Sequence, residues 1–384
     1  MHSLKNVLPN GTPDSPAIDW SFMKHYKIAI LPGDGIGSEI MAEALKVLDV
    51  VERRNPVTFD RMPGRFGASA WFETGNSFPD DTIALCDKAH AILKGPIGLG
   101  HEESKVIPIE EQPERGALLP MRRRYDTFAN FRPVYLPASL SHFSPLKPEI
   151  IGNGVDIMIV RELVGGIYFG KKETGVNDRG LRYAHEVLEY DESLIKRTVD
   201  IAFDTAMKRR RLLHNIHKSN VLKSSILWTE IIDETAKEFP DVEVRHMLVD
   251  AAATHLCLDP CQFDVMVMEN MFGDILSDQA GGILGSLGLM PSACVGPQKA
   301  YYEPSHGSAP DIADKNIANP YSMIGSVAMM LDMSFGMTEE AANIWQALQS
   351  VFASGYSTSD LSKPGTDCTI VSTGEFGDRV VAAL

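Results

Sequence analysis

The regular alternation of strand and helix patterns constrains the fold of this chain more than any other feature. From Tyr26 onward, short apolar runs alternate with segments of helical periodicity, as in α/β folds. The first run, KIAIL, stops at Pro32-Gly33. Helical spacing then relates four apolar residues, Ile40, Ala44, Leu48 and Val51. Because 384 residues exceed what one ordinary core holds, we predict an α/β fold with two lobes.

The composition argues against several classes of partner. The 36 basic and 51 acidic residues give a formal net charge of −15, which repels nucleic acid and anionic membranes. No run of 18 or more apolar residues is present, and residues 1–23 lack a basic segment followed by an apolar one. Five cysteines, an odd and sparse count, are typical of a reduced compartment. We therefore expect a cytoplasmic protein without nucleic-acid or membrane partners, with residues 1–25 as a loosely held extension.

Three predicted strands end at charged or polar residues. The residues that follow these strands are Lys218, Asp250 and Asn270, and a helix begins close to the last of them. In open α/β sheets, ligands bind beyond the carboxyl ends of the strands. The three strand ends are therefore candidates for one shared site.

Asp274 and Asp278 lie four residues apart in the helix near Asn270 and so share one face. Like charges at this spacing repel by roughly 0.2–0.5 kcal/mol, and a divalent cation would reverse that repulsion. Carboxylates together with water and substrate oxygens are the ligands that Mg²⁺ and Mn²⁺ prefer. A solvated acidic face is the alternative, although the apolar residues around the pair suggest a half-buried helix.

Three arginines stand beside apolar or turn residues, namely Arg122, Arg132 and Arg161. A guanidinium at the end of an apolar strand needs several acceptors and usually has an anionic partner. An internal salt bridge would explain any one of these arginines. A carboxylate ligand held in bidentate geometry explains the three together better.

Three further segments suggest a ligand cleft. Glycines flank Tyr168, which indicates a bend that presents its ring, although a core tyrosine is the usual case. Residues 303–312, EPSHGSAPDI, are small enough for close backbone approach, and the carboxylate of Asp311 could accept a hydrogen bond from a ribose 2′-hydroxyl and would repel a 2′-phosphate. The GDGIG sequence at residues 33–37 is either a tight strand-to-helix turn or part of a ligand loop.

Together these motifs resemble those of the isocitrate/isopropylmalate family of β-decarboxylating dehydrogenases, over nearly the whole chain from Lys27 onward. Eight segments carry the resemblance in order: GDGIG (33–37), QPERGALLPMRR (112–123), FANFRP (128–133), VRELVGGIYFG (160–170), HKSNVL (217–222), LVDAA (248–252), NMFGDILSD (270–278) and HGSAPDIADKNIANP (306–320). One segment could occur by chance, but eight in the same order could not reasonably do so. Asp314 departs from the pattern, because glycine is usual there.

The resemblance implies a role for each matched residue. Tyr168 and Lys218 resemble the acid–base pair of the family. The implied substrate-binding residues are Glu114, Leu118, Leu119, Arg122, Arg132 and Arg161. The implied NAD-binding residues are His306, Gly307, Ser308, Ala309, Asp311, Ile312 and Asn319. The implied ligands of Mg²⁺ or Mn²⁺ are Asp250, Asp274 and Asp278. The glycine loop is expected only to line the cleft.

The resemblance also implies an architecture. We expect a two-lobe fold of the isocitrate/isopropylmalate dehydrogenase type, with central sheets and a cleft between the lobes, rather than a Rossmann fold. Residues 26–127 and 284–384 would form a discontinuous cofactor-binding lobe, and residues 128–283 the lobe for substrate, metal and dimerisation. Lys218 and Asp250 would serve the active site of the partner subunit, so a homodimer with shared sites is implied.

The expected reaction is the NAD- and metal-dependent oxidative decarboxylation of a 3-substituted malate. Leu118 and Leu119 offer an apolar wall, with Glu114 nearby, which suits 3-isopropylmalate and disfavours the extra carboxylate of isocitrate or homoisocitrate. One methylene changes discrimination by only roughly 1–3 kcal/mol, so 3-benzylmalate and similar substrates stay open. Tartrate and D-malate suit the apolar wall less well. A non-catalytic paralogue is the remaining alternative, but no lysine, tyrosine or aspartate is lost at a matched position.

Overall fold

The computed structural model describes residues 23–362 and 367–384, so most of the predicted extension lies outside the described residues. Within these ranges the strands are β1 (Lys24–Leu31), β2 (Val57–Pro63), β3 (Ala91–Lys94), β4 (Ala129–Pro137), β5 (Gly154–Glu162), β6 (Lys172–Val176), β7 (Arg182–Glu186), β8 (Leu212–His217), β9 (Glu243–Leu248), β10 (Val265–Met268), β11 (Pro291–Val295), β12 (Ala300–Pro304), β13 (Tyr356–Ser357) and β14 (Thr369–Ile370). The α-helices are α1 (Gly37–Arg54), α2 (Ala68–Thr74), α3 (Asp80–Lys88), α4 (His101–Ser104), α5 (Leu119–Arg124), α6 (Pro148–Ile151), α7 (Glu192–Met207), α8 (Lys223–Ala236), α9 (Val249–Leu258), α10 (Asn270–Leu284), α11 (Tyr321–Phe335), α12 (Thr338–Ala353) and α13 (Thr373–Ala383).

Ten of these strands form one sheet in the order β2-β1-β3-β12-β11-β4-β5-β10-β8-β9. Neighbouring strands are parallel towards both ends of the sheet, whereas β11 is antiparallel to β12 and β4, and β4 is antiparallel to β5. Residues 24–94 and 291–304 supply one half of the sheet, and residues 129–268 supply the other. The predicted α/β class is therefore confirmed. The division into two lobes stays a prediction.

Helix α1 forms where the periodicity predicted a helix. The four residues predicted to form its apolar face are at most 1% exposed. Strand β1 begins at Lys24, three residues before the predicted KIAIL run, because Lys24 pairs with Val57 in β2. That partner lies far along the chain, so local periodicity cannot reveal it.

The parallel pairing of β5, β10, β8 and β9 brings their carboxyl ends to one edge of the sheet. Lys218 follows β8, Asp250 lies just beyond the end of β9, and Asn270 opens α10 after β10. Arg161 stands at the end of β5, at the same edge. The predicted strand ends therefore lie at one edge of the sheet. No helix in the described ranges is long and apolar enough to span a membrane.

Candidate active site

A cleft of about 1170 Å³ brings together residues that the sequence places far apart. The predicted residues among its lining are Glu114, Leu118, Leu119, Arg122, Arg132, Arg161, Tyr168, Asp274, His306 and Gly307. A π-helical turn, Pro113–Leu118, carries Glu114 and Leu118 and continues into α5. Such turns are frequent at functional sites, since the extra residue redirects side chains.

The three predicted arginines lie in this cleft and are nearly fully buried. Arg122 in α5 is 5% exposed, Arg132 in β4 is 4% exposed and Arg161 in β5 is 1% exposed. The Nε atom of each arginine donates to a neutral side-chain oxygen. Arg122 donates to Tyr301 at 3.1 Å, Arg132 to Asn130 at 2.7 Å and Arg161 to Asn270 at 3.1 Å. These acceptors orient the guanidinium groups without neutralising them.

Arg122 differs from the other two arginines in its charge balance. Arg161 forms an ion pair with Asp274, and Arg132 forms one with Asp278 at 3.3 Å. In the described part of the chain, the Arg122 guanidinium has no ion-pair partner, and its one side-chain hydrogen bond is to Tyr301. A buried, unpaired cation is costly unless an anion approaches it. A carboxylate bound in the cleft would supply that anion.

Asp274 faces the arginines from α10. One of its carboxylate oxygens accepts from Arg161, and the other accepts from the Tyr168 hydroxyl at 2.7 Å. Burial alone would raise the pKa of Asp274, but the charges of Arg161 and Arg132 outweigh it and hold the pKa below its usual range. One turn later, burial raises the pKa of Asp278. Asp274 is therefore an ionised carboxylate held by arginines, whereas the arginine charge near Asp278 does not outweigh the effect of its burial.

Tyr168 lies in the 3-10 turn Gly166–Tyr168, so the predicted bend is confirmed. Gly166 has a φ of +71°, and a Cβ atom there would lie 2.5 Å from the Tyr190 hydroxyl. Burial, reinforced by the hydrogen bond to Asp274, raises the pKa of Tyr168 to about 12. The hydroxyl is therefore protonated at neutral pH and can act as a proton donor.

Lys218 and Asp250 are not among the residues that line this cleft. They pair with each other, with 2.5 Å between Lys218 Nζ and Asp250 Oδ1, and this hydrogen bond lowers the pKa of Asp250. Across residues 23–362 and 367–384, no three carboxylate, histidine or cysteine side chains converge closely enough to hold a metal ion. Within one chain, Asp250 therefore does not join Asp274 and Asp278.

Two of the predicted NAD-binding residues belong to the lining of the cleft. His306 and Gly307 line the cleft, and the His306 ring contacts the Ser322 hydroxyl at 2.9 Å. The hydroxyl of Ser305, another lining residue, is buried without a hydrogen-bond partner among the described residues. An unpaired buried hydroxyl beside a cleft is a position where a polar ligand would be bound. These residues therefore fit a dinucleotide at this end of the cleft.

The remaining predicted NAD-binding residues are not among those that line this cleft. Ser308 is buried and donates to the Gly98 carbonyl at 2.6 Å. Ala309, Asp311 and Ile312 form the following turn, in which the Asp311 side chain is exposed. Asn319 is buried and bonded to Asp360 and to the backbone of Tyr321 at the start of α11. The structure therefore gives Asn319 an anchoring role.

The glycine loop is not among the residues that line this cleft, but it packs directly against two segments that do, so its predicted place along the cleft stays a prediction. A Cβ atom at Gly33 would lie 2.1 Å from the Pro96 carbonyl oxygen, and one at Gly35 would lie 2.1 Å from the Ser308 carbonyl oxygen. Glycine is required because two cleft-forming segments pack directly against this loop. The carboxylate of Asp34 accepts from three backbone N–H groups, those of Ala68 (3.0 Å), Ser69 (2.8 Å) and Gly98 (2.9 Å). The loop thus supports two of the segments that form the cleft.

The departure at Asp314 has a structural explanation. Asp314 has a φ of +59°, the left-handed region that glycine adopts without strain and that aspartate tolerates. The carboxylate of Glu39 accepts from the backbone N–H of Asp314 at 3.1 Å and from that of Asn316 at 2.7 Å. These two bonds hold the unusual conformation.

Several residues in or beside the cleft were given no specific role from the sequence, in which Asn270 was identified only as a strand end. Lys94 and Glu303 form a buried ion pair in its lining, with 2.5 Å between Nζ and Oε2. Lys94 ends the apolar run AILK, the same signal that identified the arginines. Asn130 and Asn270 lie inside the quoted motifs, whereas no sequence signal distinguishes Tyr301 as a partner of Arg122.

Comparison with known proteins agrees with this geometry. A family model described as isocitrate/isopropylmalate dehydrogenase matches residues 27–380. The 3-isopropylmalate dehydrogenases of Syntrophotalea carbinolica and Thermotoga maritima are each 45% identical to this chain, covering 94% and 93% of it and 99% of their own lengths. The crystal structure of isocitrate dehydrogenase from Methylococcus capsulatus superposes with a TM-score of 0.81 at 33% identity, covering 93% of this chain and 99% of that one.

A β-decarboxylating dehydrogenase from Thermococcus kodakarensis superposes with a TM-score of 0.74 at 31% identity, over 93% of this chain and 96% of that chain. The family model spans most of the chain, and the curated relatives match over nearly their whole lengths. The resemblance inferred from the motifs is therefore confirmed. This chain belongs to the isocitrate/isopropylmalate dehydrogenase family.

Proposed function

We propose that this protein oxidises and decarboxylates 3-isopropylmalate to 4-methyl-2-oxopentanoate, with NAD and Mg²⁺ or Mn²⁺, in leucine biosynthesis. The observation that carries the proposal is the unpaired, buried guanidinium of Arg122 beside two further arginines and a protonated tyrosine in one cleft. We also propose a cytoplasmic location, which the five unpaired cysteines support.

The arginines supply a binding site for the malate core. Their positive charge is concentrated in one cleft of a chain with a formal net charge of −15. Arg122 would bind one carboxylate through its terminal nitrogens, a geometry in which guanidinium is the preferred donor. Leu118, Leu119 and Ile97 provide apolar lining for the substituent on C3. An isopropyl group suits that lining, and Glu114 would repel a third carboxylate.

The residues present also fit the cofactors. Asp274 and Asp278 share one face of α10, where a divalent cation would relieve their mutual repulsion, and Asp250 of a partner subunit would complete the ligand set. The His306–Gly307 segment and the unpaired hydroxyl of Ser305 fit a dinucleotide. When bound, NAD would supply the acceptor for the hydride from C2, and the divalent cation would supply the Lewis acid for loss of CO₂.

The side chains of the protein would hold the substrate and move the protons. Lys218 of the partner subunit would accept the proton of the 2-hydroxyl group. Tyr168 would deliver a proton to C3 after CO₂ leaves, because its hydroxyl is protonated at neutral pH. Asp274 accepts the hydrogen bond of that hydroxyl and so orients it within the cleft. The deep burial of the three arginines excludes water from the carboxylates that they bind.

Several surfaces support a homodimer with shared sites. Lys218 and Asp250 lie outside the cleft of their own chain, although both match catalytic motifs. Strands β6 and β7 form an isolated, almost fully exposed hairpin, which is marginally stable in water by itself. Large apolar side chains are exposed on this hairpin and on α9 and α10, namely Val176 (65%), Leu181 (54%), Leu258 (63%) and Ile275 (60%).

The proposal is tested by NADH formation in neutral buffer with Mg²⁺. The panel is 3-isopropylmalate, 3-benzylmalate, D-malate, tartrate and isocitrate, with NADP as a cofactor control. We expect 3-isopropylmalate to be turned over with a kcat/KM of about 10⁴ M⁻¹s⁻¹ or above. A Lys218→Met variant purified in the same way controls for a contaminating dehydrogenase. Preference for another acid would contradict the substrate, and no turnover of any acid would favour a non-catalytic paralogue.

A further inference from the structure

Tyr301 lies within the ten-stranded sheet and contacts one of the three arginines of the cleft, Arg122. Strand β12 carries it, with Ile92 of β3 and Cys294 of β11 as its neighbours in register. Its side chain is fully buried, and its hydroxyl oxygen accepts from Arg122 Nε at 3.1 Å. Burial raises the pKa of this hydroxyl far above its usual value, so it stays neutral.

A neutral acceptor at Nε has a specific consequence for a guanidinium. Because the group is planar, a bond at Nε fixes its plane and leaves the two terminal nitrogens for a ligand. A carboxylate in place of the Tyr301 hydroxyl would also neutralise the charge, whereas the phenol leaves it intact. Arg132 and Arg161 meet the same kind of acceptor at Nε, but each has carboxylate partners as well. Among the described residues, Tyr301 is the one side chain that hydrogen-bonds Arg122, and the carboxylate of Glu303 attracts its charge only from beyond ion-pair distance.

The acceptor is itself held in a buried polar layer. Asn130 donates to the sulfur of Cys294 at 3.2 Å, and this thiol lies 3.8 Å from the carboxylate of Glu303. Glu303 in turn pairs with Lys94. All four of these side chains are less than one tenth exposed. The Tyr301 hydroxyl interacts with the Cys294 thiol of this layer, which restricts the tyrosine ring and therefore the Arg122 guanidinium that it holds.

We propose that Tyr301 is a positioning residue for carboxylate binding by Arg122. It sets the plane of the guanidinium before the ligand arrives, so that the terminal nitrogens meet both oxygens of a substrate carboxylate. Preorganisation of this kind increases affinity by removing the cost of ordering the side chain on binding. The inference rests on the proposed function, since it assumes that the cleft receives a 3-substituted malate.

The test compares Tyr301→Phe with Tyr302→Phe. Phenylalanine keeps the ring and removes only the hydroxyl. Tyr302 is the matched control, because it is equally buried and its hydroxyl contacts Ser334 at 2.7 Å instead of an arginine. We expect Tyr301→Phe to raise the KM for 3-isopropylmalate about 10-fold and to change kcat less than about two-fold, because the carboxylate contact is the same in the ground and transition states. Tyr302→Phe should leave that KM unchanged.

A double-mutant cycle separates positioning from a general structural effect. Lysine has no Nε donor of this kind, so in an Arg122→Lys background Tyr301→Phe should change KM by less than about two-fold. Persistence of the 10-fold effect in that background would overturn the proposal. Equal KM values for Tyr301→Phe and the wild type would overturn it as well.

Calorimetric binding of 3-isopropylmalate to the same variants, with Mg²⁺ present, gives a readout that does not require turnover. A wild-type protein that binds the acid without oxidising it would contradict the proposed function, while a 10-fold weaker Kd for Tyr301→Phe alone would still support the role of Tyr301. An active wild type with identical Kd values for both tyrosine variants would overturn only the role of Tyr301. A wild type that binds no 3-substituted malate would overturn both.

Discussion

At the scale of single residues, the buried polar side chains tell more about the function of this protein than the apolar core does. The chemistry of Arg122, Arg132 and Arg161 was readable from their positions beside apolar runs, but their partners were not. Another buried polar residue, His214 in β8, is fully buried against Phe263, with 4.8 Å between the ring centroids. Neither of its ring nitrogens has a hydrogen-bond partner among the described residues. Burial lowers the pKa of His214 to about 4.

The stability of the fold should therefore decrease as the pH is lowered from about 6.5 towards 4. The unfolded chain binds a proton at His214 near pH 6.5, whereas the folded chain does so only near pH 4, so acid favours unfolding by up to roughly 3 kcal/mol. Urea unfolding at pH 7.5 and pH 5, at fixed protein concentration, measures this difference for the wild type and for His214→Leu. The variant should lose less stability at the lower pH, whereas the exposed control His101→Leu should behave like the wild type. Equal losses in all three proteins would show that His214 is not responsible.

Among the elements, the loops around the cleft are held in place mainly by contacts with one another. The loop between β1 and α1 contacts the segment after β3 through Gly33 and the segment after β12 through Gly35. Asp34 joins this loop to the start of α2 and to Gly98. A single carboxylate thus holds three chain segments together behind the predicted NAD-binding residues.

Replacement of Asp34 by alanine should destabilise the protein by at least about 2 kcal/mol, because three backbone N–H groups lose their acceptor. The KM for NAD should rise with it, since Ser308 packs against the same loop. Asp49→Ala is the matched control, because Asp49 forms a partly exposed ion pair with Arg61, whose expected contribution is about 0–1 kcal/mol. Urea unfolding and initial-rate kinetics measure the two effects. Equal stability of the two variants would contradict the anchoring role of Asp34.

At the scale of the whole molecule, one continuous sheet positions two groups of functional residues that do not meet within a chain. The arginines, Tyr168 and Asp274 line the cleft, whereas Lys218 and Asp250 pair with each other outside its lining. A dimer in which each cleft receives the Lys218–Asp250 pair of the partner subunit would unite the two groups.

Hybrid dimers test this arrangement directly. Tyr168→Phe and Lys218→Met homodimers should each be nearly inactive, because each lacks one half of the acid–base pair. If Lys218 acts in the site of the partner subunit, a hybrid of the two variants has one site that has lost both residues. Its other site combines an intact Tyr168 with an intact Lys218. Random reassociation of equal amounts should therefore restore about a quarter of the wild-type activity. Each variant reassociated with itself is the control, and a mixture no more active than these controls would show that Lys218 serves its own chain.

The sequence by itself determined the α/β class, the helical face of α1 and the strand ends at Lys218, Asp250 and Asn270, because periodicity and the chemistry of a strand end are local properties. It also determined the family, because eight ordered motifs occur in this chain.

Only the tertiary structure decided which buried groups face one another. It showed that Tyr301 accepts from Arg122, that Asp34 joins its own loop to two other segments and that the glycine loop packs against two segments of the cleft. Arg122 and Tyr301 are 179 residues apart, and their contact depends on how β12 and α5 pack rather than on the sequence near either residue. Such pairings are set by the register and packing of the whole sheet, which no local pattern encodes.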